Sequence, residues 1–192
     1  MFKGFIHKSF VIIILQFKLF NLAFSSDYQI ECQPLVIEKI ASLPQKGILK
    51  QKENGYLYID VCDEYITEAL SVLEAPGKIL PPGNYRNKNG IGAHISVMYE
   101  TEQIINEIWD IKELGQEYSF TIVDLRTVKI RKNNKIEKLW IIAVDAPELE
   151  RLRESYGLSS KLKGHDFHIT IGTQKPGKEN QQKEEVQLQE AA

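Results

Sequence analysis

The chain has 192 residues, 43% of them apolar and 26% charged, with a formal net charge of -2. That balance suits one globular domain with a core of its own and excludes disorder as the default. Lys and Arg are spread along the chain, which excludes a long basic track for nucleic acid and leaves a small phosphate ligand compatible with the charge.

Residues 1–26 read as a targeting segment. Lys3, His7 and Lys8 precede the apolar run Phe10-Val11-Ile12-Ile13-Ile14-Leu15, and Ala23-Phe24-Ser25 offers small residues for cleavage, so the mature chain is expected to begin near Ser26. Gln16 and Lys18 interrupt the run, whereas a spanning helix needs about 20 mostly apolar residues. The alternative is an uncleaved membrane anchor over residues 10–24. Export, periplasmic or secreted, would put Cys32 and Cys62 in an oxidising compartment, where they fit either one disulfide or two unrelated buried thiols.

Residues 33–41 read as a short helix with Pro34 near its start, ended by Leu43-Pro44. Residues 55–61 then alternate as a strand, and Asp63 is placed to cap a helix over 64–74 that Ala75-Pro76-Gly77 stops. Prolines, glycines and asparagines make 78–92 a loop that delivers the chain to a strand from His94. Thr101 is placed to cap a helix over 102–114, with an apolar stripe of Ile104, Ile105, Ile108, Trp109 and Ile111 and Gly115 at its end. Residues 118–132 and 138–144 form a hairpin about Asn133-Asn134, followed by a helix over 148–156 closed by Gly157. The loop 158–163 leads into a strand carrying His168, and residues 175–192 are a polar tail. The order predicts a single α+β domain over 27–174, with two lobes of antiparallel-rich sheet facing each other across a central cleft and helices outside.

Two strands carry the chemistry. Side chains alternate between the faces of a strand, so His94 and Ser96 share one face while Ile95, Val97 and Tyr99 take the other. In the second strand His168 and Thr170 share a face against Phe167, Ile169 and Ile171. Each strand thus offers an imidazole and a hydroxyl from one side. With an unperturbed pKa of about 6.5, one imidazole can take a proton from an attacking oxygen while the other gives one to a leaving oxygen. Ser96 and Thr170 are placed to donate to non-bridging phosphate oxygens, and the scheme needs no metal or other cofactor.

Ala93-His94-Ile95-Ser96-Val97 and Phe167-His168-Ile169-Thr170-Ile171 resemble the paired His-x-Ser/Thr motifs of the two-histidine (2H) phosphoesterase superfamily, a resemblance that covers roughly residues 55–173. It implies a bilobal, pseudo-symmetric α+β fold and a metal-independent activity on RNA-type phosphodiesters such as 2′,3′-cyclic phosphates or 2′-5′ linkages. The substrate partner would be a nucleotide or RNA end, met by a monomer. Ser96 stands where the family more often has threonine, and either hydroxyl can donate. Tyr85, Arg86, Tyr156 and Lys163 are further candidates to contact a base or phosphate, and His165 reads as structural or solvated.

Two other classes of function stay open: a binding module that recognises nucleotide ends without turnover, and an interaction protein that uses the fold as a scaffold. Metal-dependent hydrolysis would need carboxylates or further histidines at ligand spacing, which the chain does not offer. The export reading is checked by mass spectrometry of the mature protein, where a new N-terminus near Ser26 is expected and an intact Met1 on soluble cytoplasmic protein would refute it.

Overall fold

The structure, a computed structural model, describes residues 28–132 and 135–175; the targeting segment, the Asn133-Asn134 turn and the tail beyond Lys175 lie outside them. No helix of the described residues is long and apolar enough to cross a membrane. The described residues form nine strands and five helices. They run β1 (Gln29–Ile30), α1 (Pro34–Ala41), β2 (Lys46–Gln51), β3 (Leu57–Asp60), α2 (Glu64–Val72), β4 (Ile79–Leu80), α3 (Gly83–Arg86) and β5 (His94–Met98). Then come α4 (Glu100–Ile105), β6 (Glu117–Ser119), β7 (Thr121–Lys132), β8 (Lys135–Asp145), α5 (Pro147–Ser155) and β9 (His168–Gln174).

All nine strands belong to one antiparallel sheet, in the order β1-β7-β8-β9-β5-β3-β2-β6, with β4 paired to the far end of β9. This corrects the expectation of two sheets across a cleft. The strands expected to end the two halves, β5 and β9, lie side by side and pair through Ile95 and Ile169. The parity of an amphipathic strand says which residues share a face but not whether its partner stands opposite or alongside, and here it stands alongside.

A strand that the sequence reading passed over completes the internal symmetry. Residues 46–51, Lys-Gly-Ile-Leu-Lys-Gln, alternate poorly, yet they pair with β3 in the register Ile48 to Asp60 through Gln51 to Leu57. Gly47 is needed there, because a Cβ would run into the Asp60 carbonyl and the Ile59 side chain. Each half is then a hairpin, a helix and a histidine strand: β2–β3, α2, β5 and β7–β8, α5, β9.

The core lies on one face of this sheet. Val36 and Ile40 of α1, Tyr65, Ile66 and Ala69 of α2, and Leu149 and Leu152 of α5 pack with Ile95, Val97, Ile169 and Ile171 into a single cluster. At about 25 cal/mol per Å² of apolar surface, this burial is the main force holding helices to sheet. Cys32 is exposed and Cys62 half-buried, and both are free thiols, so the structure holds neither a Cys32–Cys62 bond nor a pair of buried thiols.

Two helix ends depart from expectation in instructive ways. Asp63 precedes α2 but does not cap it; its Oδ1 instead accepts the Ala93 N–H at 2.7 Å, just before His94. Helix α4 starts at Glu100 rather than after Thr101, with the Glu102 carboxylate accepting the Tyr99 N–H at 3.0 Å. It stops at Ile105, nine residues early. Glu107 adopts φ 55°, the Ile108 N–H reaches back to Gln103 O at 2.9 Å, and Glu107 N–H to Ile104 O at 3.4 Å, which is a Schellman ending built without glycine. The expected apolar stripe is therefore split: Ile108 and Ile111 are buried, whereas Ile104, Ile105 and Trp109 are exposed.

Helix α5 ends as its glycine predicts, with Gly157 at φ 74° and the Leu158 N–H on Arg153 O. Arg153 itself, 1% exposed, turns inward. Its guanidinium donates to Val97 O of β5 at 2.6 Å, to the Glu102 carboxylate of α4 at 2.8 and 3.3 Å, and to Ser159 O at 2.9 Å. One side chain thereby ties the first histidine strand to the loop that leads to the second. Arg153→Ala takes the cation from the Glu102 carboxylate and a donor from the Val97 carbonyl, and we expect a loss of about 3 kcal/mol in unfolding free energy, read from urea denaturation. An unchanged midpoint would show that the network is incidental.

Candidate active site

The two histidines reach the same face of the sheet from adjacent strands. In both β5 and β9 the burial alternates as the sequence parity requires, with His94, Ser96, His168 and Thr170 half-exposed between buried Ile95, Val97, Ile169 and Ile171. The antiparallel register Ile95 to Ile169 sets His94 beside Thr170 and Ser96 beside His168.

Each ring is oriented by main chain rather than by a carboxylate. His94 Nδ1 lies 2.9 Å from Gly92 O and His168 Nδ1 lies 3.0 Å from Asp166 O, in both cases the carbonyl two residues upstream. A carbonyl can only accept, so Nδ1 carries the hydrogen and Nε2 is left for other chemistry. The residue between carbonyl and histidine is pinned as well: Ala93 O accepts from Val61 N–H at 3.3 Å and Phe167 O from Val144 N–H at 2.9 Å. Gly92 makes the first bend possible with φ 69°, where any Cβ would strike the Asp63 carboxylate.

A cluster of tyrosines surrounds the first pair. Tyr58 lies opposite Ser96 in β3, and the Tyr56 and Tyr58 rings both make T-shaped contacts with the His94 ring, with centroids 6.1 and 6.0 Å away. Tyr56 also stacks between Tyr58 and Tyr99 at 5.8 and 5.9 Å. Its hydroxyl shares a 2.5 Å hydrogen bond with Ser96 Oγ, and the Tyr99 hydroxyl reaches the same serine. Burial raises the Tyr56 phenol to about 12, so it stays protonated. The ammonium of Lys52 sits 5.8 Å from the Tyr56 ring centroid.

The second pair is framed by the loop before β9. Lys163, in a left-handed conformation at φ 53°, lays its ammonium 4.5 Å over the Tyr99 ring. Asp166 is held by Lys161 at 2.5 Å and by Arg126 at 2.8 Å, and Arg126 is gripped from below by Asp124. These cations hold the Asp166 carboxyl below its usual range and fix the segment whose carbonyl orients His168. Between loop and strands lies a shallow recess of about 30 Å³, lined by Ser96, Tyr99, Lys163, His165, Phe167 and His168.

Both imidazoles are pushed below their ordinary value, and for both the first cause is desolvation, which penalises the charged ring. The carbonyl at Nδ1 opposes this in each case. For His94 the Lys52 ammonium and the His168 ring push further down, which puts the two imidazoles within electrostatic reach of one another. Among the described residues no three His, Cys, Asp or Glu side chains are grouped to ligate a metal. The groups at hand are two imidazoles, two hydroxyls and nearby ammonium groups, a set suited to proton transfer around an anion.

Of the site residues expected from sequence, His94, Ser96, His168, Thr170 and Lys163 gather on this face. Tyr85, Arg86 and Tyr156 are used elsewhere. Tyr85 packs against the core, Arg86 Nε donates to Pro81 O at 2.8 Å, and the Tyr156 hydroxyl donates to Glu113 at 2.6 Å and accepts from Lys112 N–H. His165 lines the recess and meets the Tyr28 ring edge-on at 5.6 Å. Sequence reasoning missed Tyr56, Tyr58 and Lys52, although Tyr56, Tyr58 and Asp60 share the polar parity of their strand. Tyr99 it assigned to the opposite face. The strand ends at Met98, so parity lapses and the Tyr99 ring swings back over Tyr56.

Residues 57–178 match the family model described as "Swiss Army Knife, 2H phosphoesterase domain". No curated protein and no solved structure matches the chain.

The depressed imidazoles make stability depend on pH. An unfolded histidine titrates near 6.5 and takes up a proton before its folded counterpart, so the stability that these rings contribute is present above that value and is lost as pH falls through it. Urea midpoints measured from pH 7.5 down to 5 should therefore fall, and His94→Asn with His168→Asn should flatten that fall. An equally steep fall in the double variant would mean that other groups cause it.

Proposed function

Because the chain belongs to the 2H phosphoesterase family, of which it carries the domain over residues 57–178, we propose that it cleaves an RNA-type phosphodiester by exchange of protons between His94 and His168. The substrates in view are a 2′,3′-cyclic phosphate, a 2′-5′ linkage or a related nucleotide. The observation that carries this reading is the matched pair of rings on one face, each with Nδ1 on a carbonyl and Nε2 left over.

In this mechanism a neutral imidazole takes the proton of the attacking oxygen at Nε2, and the other, as imidazolium, donates from Nε2 to the leaving oxygen. Ser96 and Thr170 donate to the non-bridging oxygens, where negative charge builds. With Tyr56 donating to Ser96 Oγ, the serine's own hydrogen turns toward the phosphate. The anionic substrate also offsets the desolvation that keeps both rings neutral at rest, so its arrival favours the one proton that the reaction requires. Residues 1–26 support an exported enzyme, as part of the same proposal.

The test is a panel of 2′,3′-cyclic nucleotides and of 2′-5′ and 3′-5′ oligonucleotides, assayed with EDTA. General acid–base groups typically contribute about 10²- to 10⁴-fold, so His94→Ala or His168→Ala should lose at least 100-fold in kcat, and Ser96→Ala or Thr170→Ala less. The rate should follow a bell in pH whose acid limb lies below 6.5, since both rings are depressed. A double histidine variant as active as the parent sinks the mechanism, and binding without turnover would leave a nucleotide-end-binding module.

A further inference from the structure

A second recess opens between the β2–β3 loop and helix α4. Its walls are the β2–β3 loop, with Lys52, Glu53 and Gly55, and α4 with its end, from Glu100 to Ile104, Ile108 and Trp109, and it holds about 280 Å³. The floor is polar but already satisfied: the Gln103 side chain, 5% exposed, donates to Gly55 O and accepts from Gln51 Nε2 at 3.2 Å. Trp109, at 72% exposed, stands over the rim because the glycine-free Schellman ending cuts α4 short. A large aromatic left in water at the wall of a concave recess offers a flat ring a surface to stack on.

Lys52 joins this recess to the histidines. It lines the recess, its N–H is bonded to Tyr56 O at 3.0 Å, its ammonium lies over the Tyr56 ring, and its charge is felt at His94. Among the described residues no carboxylate pairs with it in an ion pair. A cation that shares a recess with an exposed indole and also acts on His94 fits a ligand that carries a phosphate next to a flat ring.

We propose that this recess is a second subsite of the phosphodiester site. It takes a heteroaromatic base on Trp109, while Lys52 approaches, from the side of that base, the one phosphate held between His94 and His168. This rests on the phosphodiesterase reading and sharpens it, because a linear dinucleotide can reach from the histidines to Trp109 and a cyclic mononucleotide cannot.

The two tryptophans allow a direct test, since Trp140 is 2% exposed and quenching by a stacked base reports on Trp109. Adenylyl-adenosine, 2′-5′ or 3′-5′ linked, is titrated into the His94→Ala/His168→Ala protein with adenosine 2′,3′-cyclic phosphate as comparison. Saturable quenching is expected from the dinucleotide at a concentration at least tenfold lower. In the active protein, Trp109→Leu should lower the ratio of kcat/KM for the dinucleotide over the cyclic nucleotide by about tenfold, within the range of one base stack, whereas Lys52→Gln should lower kcat/KM for both. Ile105→Ala, 78% exposed and outside the recess, should leave that ratio unchanged. No saturable quenching, equal quenching by both ligands, or an unchanged ratio in Trp109→Leu overturns the subsite. If the active protein turns over neither ligand, the phosphodiesterase reading fails on its own and the quenching alone decides the recess.

Discussion

The pairing of Ile95 with Ile169 is the contact on which the rest of the arrangement depends. Both side chains are fully buried, so the register of β5 against β9 is set from the core side. A slip of one residue would send His94 and Ser96, or His168 and Thr170, into the apolar cluster and bring isoleucines to the open face. Burial of such a pair is worth roughly 3–6 kcal/mol, and the imidazoles ride on it without contributing to it. The geometry of the polar face is thus a by-product of packing on the other face.

Around that seam the two halves supply different surroundings for equivalent rings. The first ring is walled by Tyr56 and Tyr58, and the hydroxyls of Tyr56 and Tyr99 converge on Ser96. The second lies beneath a loop stiffened by Arg126, Lys161 and Asp166, which exclude solvent through a charge network rather than through aromatic area. Arg153 couples the two, since the same guanidinium binds the strand of one ring and the loop over the other. In such a partly desolvated setting each charge acts more strongly than it would in water.

Much of this was legible in the sequence where a local rule was decisive. The β7–β8 hairpin, the Gly157 ending of α5 and the parity of both histidine strands follow from alternation and turn chemistry within a few residues. What was lost depended on partners distant in sequence. The strand β2 is held by its fit against β3, not by its own alternation, and Asp63 left its cap to bind a backbone 30 positions away. Glu107 took a left-handed conformation that a glycine would have advertised, which shortened α4 and exposed Trp109. Tyr99 moved across because a face assignment holds only while the strand lasts. The single sheet was out of reach for the same reason: adjacency of β5 and β9 is a matter of topology, and a strand's pattern is silent on it.

The carbonyls of Gly92 and Asp166 that hold the two rings have a consequence for how such a centre can drift. Where a carboxylate orients a histidine, one codon change can abolish the partner. Here the acceptor is part of the peptide chain and survives any replacement of the side chain that leaves the bend intact. The two positions carry glycine and aspartate, residues with nothing in common beyond that shared oxygen. A lineage built this way is at liberty to rewrite the surroundings of each ring, and so its choice of ligand, while the rings keep their aim.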